Sequence, residues 1–181
     1  MTGQEICKTF LDLLQRKSEF LYLHSQQVAN NSVKVADKLG LSHKETGIIR
    51  TAALLHDIGL LCVPNNILTK YPFISTRELA LYRQHCISGC SMLENMEEFS
   101  DVSYLIRSHH EKWNGTGYPK RLKGVNIPLG SRIISVTDYY DSVINPCNIQ
   151  WKKSRQEALQ VLLDEMGAGF DPVVVKAFLE L

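Results

Sequence analysis

The sequence has almost no net charge: its Lys and Arg residues exceed its Asp and Glu by one, giving +1. Such a balance leaves no basic stripe for a nucleic acid polymer, and none is expected as a partner. No apolar run approaches the ~20 residues that cross a bilayer. The start MTGQEICKTF has no signal-peptide pattern, so no membrane association and a cytoplasmic location are expected. The five cysteines (Cys7, Cys62, Cys86, Cys90, Cys147) are scattered and odd in number, which excludes a disulfide framework and suits reduced thiols. Cys86 and Cys90 share a helical spacing, but two thiols without a second pair make a poor zinc site and read as buried helix thiols. Strand-like alternation is nearly absent, and no period marks a repeat.

What is present is helical spacing. Ile6, Phe10, Leu13 and Leu14 mark one face of an opening helix, and His24, Val28, Val35, Ala36 and Leu39 mark a second that Gly40 closes. Ser42, Ser75 and Ser154 each stand three residues before a glutamate, the capping-box spacing for three more helices. The second of these is expected to run unbroken through His85 toward Met92. Pro64 to Pro72 reads as a loop, DVSYLIRSHH and LGSRIISVTDYYDSVI as helices, and the Gly-rich stretch from Trp113 to Pro128 as an irregular loop. Asp171-Pro172 opens a last short helix. At 181 residues and 44% apolar content, this predicts a single all-α domain with a sizeable core.

Chemistry is concentrated in the histidines and aspartates. His56 and Asp57 end the apolar run AALLHDIG, and His109-His110 opens HHEKWNGTGYP. A buried, unpaired carboxylate costs several kcal/mol. Asp57 and Asp138, both on apolar helices, therefore need a partner: a metal ion, or a Lys or Arg from elsewhere in the fold. A lone histidine is more often a hydrogen-bonded core residue than a ligand. Five histidines (His24, His56, His85, His109, His110) at helix-like positions favour a buried metal centre.

In order, His24, the His56-Asp57 doublet and Asp138 resemble the H…HD…D signature of the HD superfamily of metal-dependent phosphohydrolases. The added His85, His109-His110-Glu111 and Gly117-Tyr118-Pro119 are similar to its HD-GYP family, whose typical activity is hydrolysis of cyclic di-GMP. The resemblance runs from about His24 to the GFDPVVVKAF segment. It implies a helical bundle of the HD-domain type spanning residues 1–181, with a metal-site core at about 20–145 and C-terminal helices at 154–181. It implies one metal held by His24, His56, Asp57 and Asp138. A second would be held by His85, His109 and His110, with Asp57 as the bridge. A glutamate that holds a third metal in some members is Phe20 here, so two divalent ions are expected, iron or manganese ahead of zinc. It also implies hydroxide formed from water activated by the two metals, in-line attack on a phosphodiester, His56 and Asp57 at the catalytic centre, and Gly117, Tyr118 and Asp141 lining the substrate pocket.

The chain also departs from that family. The usual HDIGK lysine is Leu60, the usual RPYR segment falls on Cys147-Asn148-Ile149-Gln150, and an aspartate of the HHE loop is Asn114. Losing one preorganised charge-stabilising group costs roughly 3–4 kcal/mol in the transition state. Lys120, Lys123, Lys152 and Lys153 are the candidates to replace the lost charge. Three functions are compatible with the sequence. One is a metal-dependent phosphodiesterase acting on cyclic di-GMP or another phosphodiester, with weakened activity. Another is an inactive metal-containing module that binds a nucleotide or a signalling partner protein. The third is a redox di-iron enzyme.

Overall fold

Helix starts are set locally in this protein. Thr2, Ser42, Ser75 and Ser154 each accept a hydrogen bond from the backbone N–H of a glutamate three residues on, and that glutamate's carboxylate accepts from the cap's backbone N–H. The sequence reading named three of these four boxes and missed Thr2. The computed structural model describes residues 2–70, 73–147 and 149–181. Its helices are α1 (Gly3–Lys17), α2 (Glu19–Lys38), α3 (His43–Leu55), α4 (Asn65–Leu68), α5 (Thr76–Arg83), α6 (His85–Leu93), α7 (Ser100–Arg107), α8 (Leu129–Ile144), α9 (Arg155–Asp164) and α10 (Pro172–Leu179). No strand occurs among the described residues, so the all-α expectation holds. Gly40 ends α2 at φ 72°, a backbone state that glycine adopts without steric cost.

The bundle forms around α2, which packs on α3 and α8, while α7 closes against α3 and α6. Val28, Val35, Leu55, Ile106, Ile133 and Val136 are fully buried between them. A Ser32–Thr137 hydroxyl pair at 2.8 Å joins α2 to α8 inside that core. The C-terminal helices cover the other side, burying Leu162, Val174 and Val175.

Three local expectations are corrected. Leu13 is 43% exposed, since the face that α1 buries is set by Leu14. The Pro64–Pro72 stretch contains α4; Pro72 lies outside the described residues. The helix expected to run through His85 is broken at Gln84. Continuing it would require the Tyr82 carbonyl to accept from the residue 86 N–H, but that carbonyl accepts from the His85 ring at 2.7 Å, and the Ser88 N–H starts a new ladder on Gln84.

After α3 the chain tightens into a 3-10 turn, Ile58–Cys62, which lies against α6. A Cβ on Gly59 would stand 1.9 Å from the His85 carbonyl oxygen and 2.7 Å from the Gly89 N, both backbone atoms. Neither can swing aside as a side chain would. Gly59→Ala should therefore separate the turn from α6 and destabilise the protein by at least the ~1–3 kcal/mol of ordinary overpacking. Urea unfolding reads this directly, and a variant as stable as the parent would contradict it.

Candidate metal centre

Three histidines each stand just past the end of a helix and turn back onto it. The Nδ1 of His56 meets the Ala53 carbonyl at 2.8 Å, that of His85 the Tyr82 carbonyl at 2.7 Å, and that of His109 the Ile106 carbonyl at 2.6 Å. The last carbonyls of a helix have no backbone partner, so an imidazole N–H three residues on caps one of them. A carbonyl can only accept, so Nδ1 carries a hydrogen in each ring and Nε2 is the atom left to face the centre.

Those lone pairs converge. The Nε2 atoms of His85 and His109 are 3.4 Å apart, and the His56 Nε2 is buried with no hydrogen-bond partner. Asp57 reaches both sides: Oδ2 is 3.5 Å from the His56 Nε2, and Oδ1 is 3.5 Å from the His85 Nε2. The His110 ring lies 4.1 Å from that of His109 and 5.1 Å from that of His85, centre to centre. From α2, His24 places Nε2 3.1 Å from Asp138 Oδ1 and Nδ1 2.6 Å from Asp141 Oδ2. The seven residues His24, His56, Asp57, His85, His109, His110 and Asp138 thus come together from five parts of the chain.

Electrostatics divides the imidazoles in two. Burial holds His85 and His109 below the ordinary value and takes His110 to about 4, with neighbouring imidazoles adding to the effect. Burial also opposes charge on His24, but hydrogen bonds to Asp138 and Asp141 outweigh it and raise that group to about 10. Burial works against the Asp138 carboxylate as well, and the His24 hydrogen bond with the surrounding rings still pulls it far below the carboxylate range. Neutral rings with lone pairs facing one another at 3.4 Å repel unless a cation sits between them. The orphaned His56 Nε2, the converging Nε2 atoms of His85 and His109, two carboxylates and N–H groups tied to backbone carbonyls are the donor set and outer hydrogen bonding that divalent metals take. The residues fit a metal.

Other site residues fall into different roles. Phe20, where a further carboxylate would stand, stacks on the His24 ring with centres 6.0 Å apart. Tyr118 lies 5.0 Å from the His110 ring and lines a cavity of about 280 Å³ together with His24, Asp57, His110 and Asp138. Gly117 lines an adjoining cleft of about 770 Å³, and a Cβ there would stand 2.3 Å from the Lys112 N, so its contribution is close backbone packing. Asp141 is a correction. It is buried, with Oδ2 on His24 and Oδ1 accepting from Asn145 Nδ2 at 2.8 Å, so it orients a ring and does not line the pocket. Glu111 is buried and accepts from the Lys120 and Leu122 N–H groups at 2.6 and 3.0 Å, which fixes the loop carrying Tyr118.

The replacement cations expected from the sequence are also corrected. Lys120, Lys123, Lys152 and Lys153 are exposed, and none lines the 280 Å³ cavity or the two clefts beside it. No Lys or Arg stands among the described residues lining that cavity. Leu60 is buried and Cys147 is exposed; Asn148 lies outside the described residues. Sequence reading missed Arg83, in the last turn of α5, whose guanidinium lies 4.9 Å from the Tyr118 ring centre and which lines the larger cleft with His110 and Asp138. No sequence motif marked it, because its neighbour Tyr118 is far along the chain.

Residues 8–174 match the HD domain family, and the chain belongs to it. It is 28% identical over 99% of its length to the 3'3'-cGAMP-specific phosphodiesterase 2 of Vibrio cholerae, covering 35% of that protein. It is 31% identical over 94% of its length to a cyclic di-GMP phosphodiesterase of Thermotoga maritima, covering 48% of it. The chain thus spans between a third and a half of these relatives. A solved HDG"Y"P protein from Bdellovibrio bacteriovorus superposes with a TM-score of 0.73 at 26% identity, over 89% of this chain and 51% of that one. The HD-GYP resemblance is therefore borne out, and with it the HD-type bundle. No described helix is long and apolar enough to cross a membrane.

Two measurements follow from this geometry. Asp141→Asn keeps an acceptor for His24 but removes the charge behind it, and should weaken metal binding about tenfold to a hundredfold in competition with a chromogenic chelator. Unchanged affinity would show that the His24–Asp141 bond plays no part. In chelator-treated protein, the lowered histidines bind protons less readily in the fold than in the unfolded chain. Its stability should fall as pH drops from 6.5 to about 4. His24 does not offset this loss: its raised value makes its contribution complete below 6.5 and lost only as pH rises toward 10. Urea midpoints that stay flat across the acid window would contradict the assignment.

Proposed function

We propose that this chain is a metal-dependent phosphodiesterase that cleaves a cyclic dinucleotide or a related phosphodiester at a two-metal centre. The observation that carries the reading is the meeting of five imidazoles and two carboxylates beside a cavity, three of the rings turning their Nε2 atoms toward one another. In this reading His24, His56, Asp57 and Asp138 hold one ion, and Asp57, His85, His109 and His110 hold the other. Iron or manganese is favoured over zinc. The two oxygens of Asp57, facing His56 and His85 respectively, suit it to both groups. The relatives support the substrate class, since their names specify cyclic di-GMP and 3'3'-cGAMP phosphodiesterases.

Divalent ions in such a pair supply an activated water near neutral pH and charge stabilisation for a phosphoryl oxygen. The chain's own residues supply orientation. Asp141 and the helix-end carbonyls fix the rings, and His56 and Asp57 occupy the catalytic centre. Tyr118, held by the Glu111 staple, gives the cavity an aromatic wall. A cyclic dinucleotide has two phosphodiesters, and only one can lie at the metals. Arg83 is the cation we assign to the other, since its guanidinium lies over the Tyr118 ring and lines the larger cleft. Among the described residues no carboxylate lies within ion-pair distance of it.

A second reading, a metal-containing module that binds a nucleotide or a signalling partner without cleaving it, is favoured by the cavity's lack of Lys or Arg and by Leu60. Incubating metal-loaded protein with cyclic di-GMP and separating the products by chromatography decides between them. Linear dinucleotide or mononucleotide is expected, and Asp57→Asn should abolish it. Intact substrate that nevertheless binds would favour the second reading. A charged hydrogen bond contributes ~1.5–3 kcal/mol, so Arg83→Ala should raise KM roughly tenfold to a hundredfold with little change in kcat. An unchanged KM would remove Arg83 from the substrate site.

A further inference from the structure

Cys86 follows His85 in the first turn of α6, and both are fully buried. Its Sγ lies 3.4 Å from the His85 Nε2, the same atom that the His109 Nε2 approaches at 3.4 Å and Asp57 Oδ1 at 3.5 Å. One ligand atom from each of His85, Cys86, His109 and His110 lies within 4.8 Å of all the others. The other cysteines differ. Cys7 is half-buried, Cys62 and Cys147 are exposed, and Cys90 directs its thiol toward Glu94, 3.6 Å away. Among the described residues, no other cysteine belongs to a ligand cluster.

We infer that Cys86 is a metal ligand, giving the ion held by His85, His109 and His110 a sulfur donor. This rests on the metal-centre reading above and deepens it. Binding would exchange the S–H bond for a sulfur–metal bond and release the proton to solvent; no change of oxidation state is involved. A thiolate added to three imidazoles and the Asp57 carboxylate makes a softer donor set, one that suits zinc or ferrous iron and disfavours manganese, whose preferred ligands are oxygens. The site's metal preference therefore moves away from the manganese that a nitrogen and carboxylate set would accept. The competing arrangement is a thiol that only donates a hydrogen bond to the His85 Nε2, which a bound metal would displace.

Zinc-loaded protein, its metal content measured first, is examined by X-ray absorption at the metal edge. A sulfur scatterer at about 2.3 Å, beside nitrogen at about 2.0–2.1 Å, is expected. The cobalt-loaded protein should show a sulfur-to-cobalt charge-transfer band that is lost in Cys86→Ala and retained in Cys147→Ala. Metal binding with only nitrogen and oxygen neighbours would overturn the inference and leave the histidine centre standing. A band that survives Cys86→Ala would do the same. Failure to take up metal at all would overturn both. The X-ray measurement uses unaltered protein, so the decision does not depend on the folding of a variant.

Discussion

A single hydrogen bond, made three times, organises this protein. The imidazole N–H of His56, His85 and His109 caps a carbonyl at a helix end, three residues back. Each bond ties the ring to a helix-end carbonyl, places a hydrogen on Nδ1, and aims Nε2 inward. Helix termination and ligand orientation are therefore the same local event. The break between α5 and α6 shows how tightly they are linked: the carbonyl that would have continued the helix serves the histidine instead.

The fourth imidazole is handled differently. His24 lies within a continuous helix whose carbonyls are already used, so its orientation comes from across the bundle, from Asp138 and Asp141 on α8. Its charge balance differs accordingly: two carboxylates draw it toward the protonated form, while burial disfavours protonation of His85, His109 and His110. A cluster combining neutral donors, carboxylates and one carboxylate-paired ring is unfavourable as an empty polar core. The rest of the bundle serves largely to hold it, through the α2, α3 and α8 packing and the close approach of Gly59 to α6.

Around this centre the wall is unusual in its lack of cations. Leu60 lies in the apolar core and, among the described residues, no Lys or Arg lines the smaller cavity, whereas the Arg83 guanidinium lies over the Tyr118 ring. The positions that the family resemblance marks for positive charge carry Leu60 and Cys147, and Arg83 stands at the end of α5. The Tyr118 ring lies 4.9 Å from the Arg83 guanidinium and 5.0 Å from the His110 ring, and Glu111 holds its loop by two backbone N–H groups.

Much of this was legible in the residues. Capping boxes at Ser42, Ser75 and Ser154 are local signals, since the cap and its partner are three residues apart, and the structure contains all of them. The histidines and aspartates were recognisable as a set because their order along the chain is itself a pattern. Roles that depend on approach between distant segments were not legible. Asp141 reads as a pocket residue until α2 brings His24 against it, and Cys86 reads as a core thiol until α7 brings His109 to its side. Arg83 and Tyr118 are separated by a long stretch of chain that carries no mark of their contact. Hydrogen bonds and helix periods act over a few residues and leave a trace in composition. The distance between two side chains on different helices is set by how whole faces pack, and no short stretch of sequence contains that information.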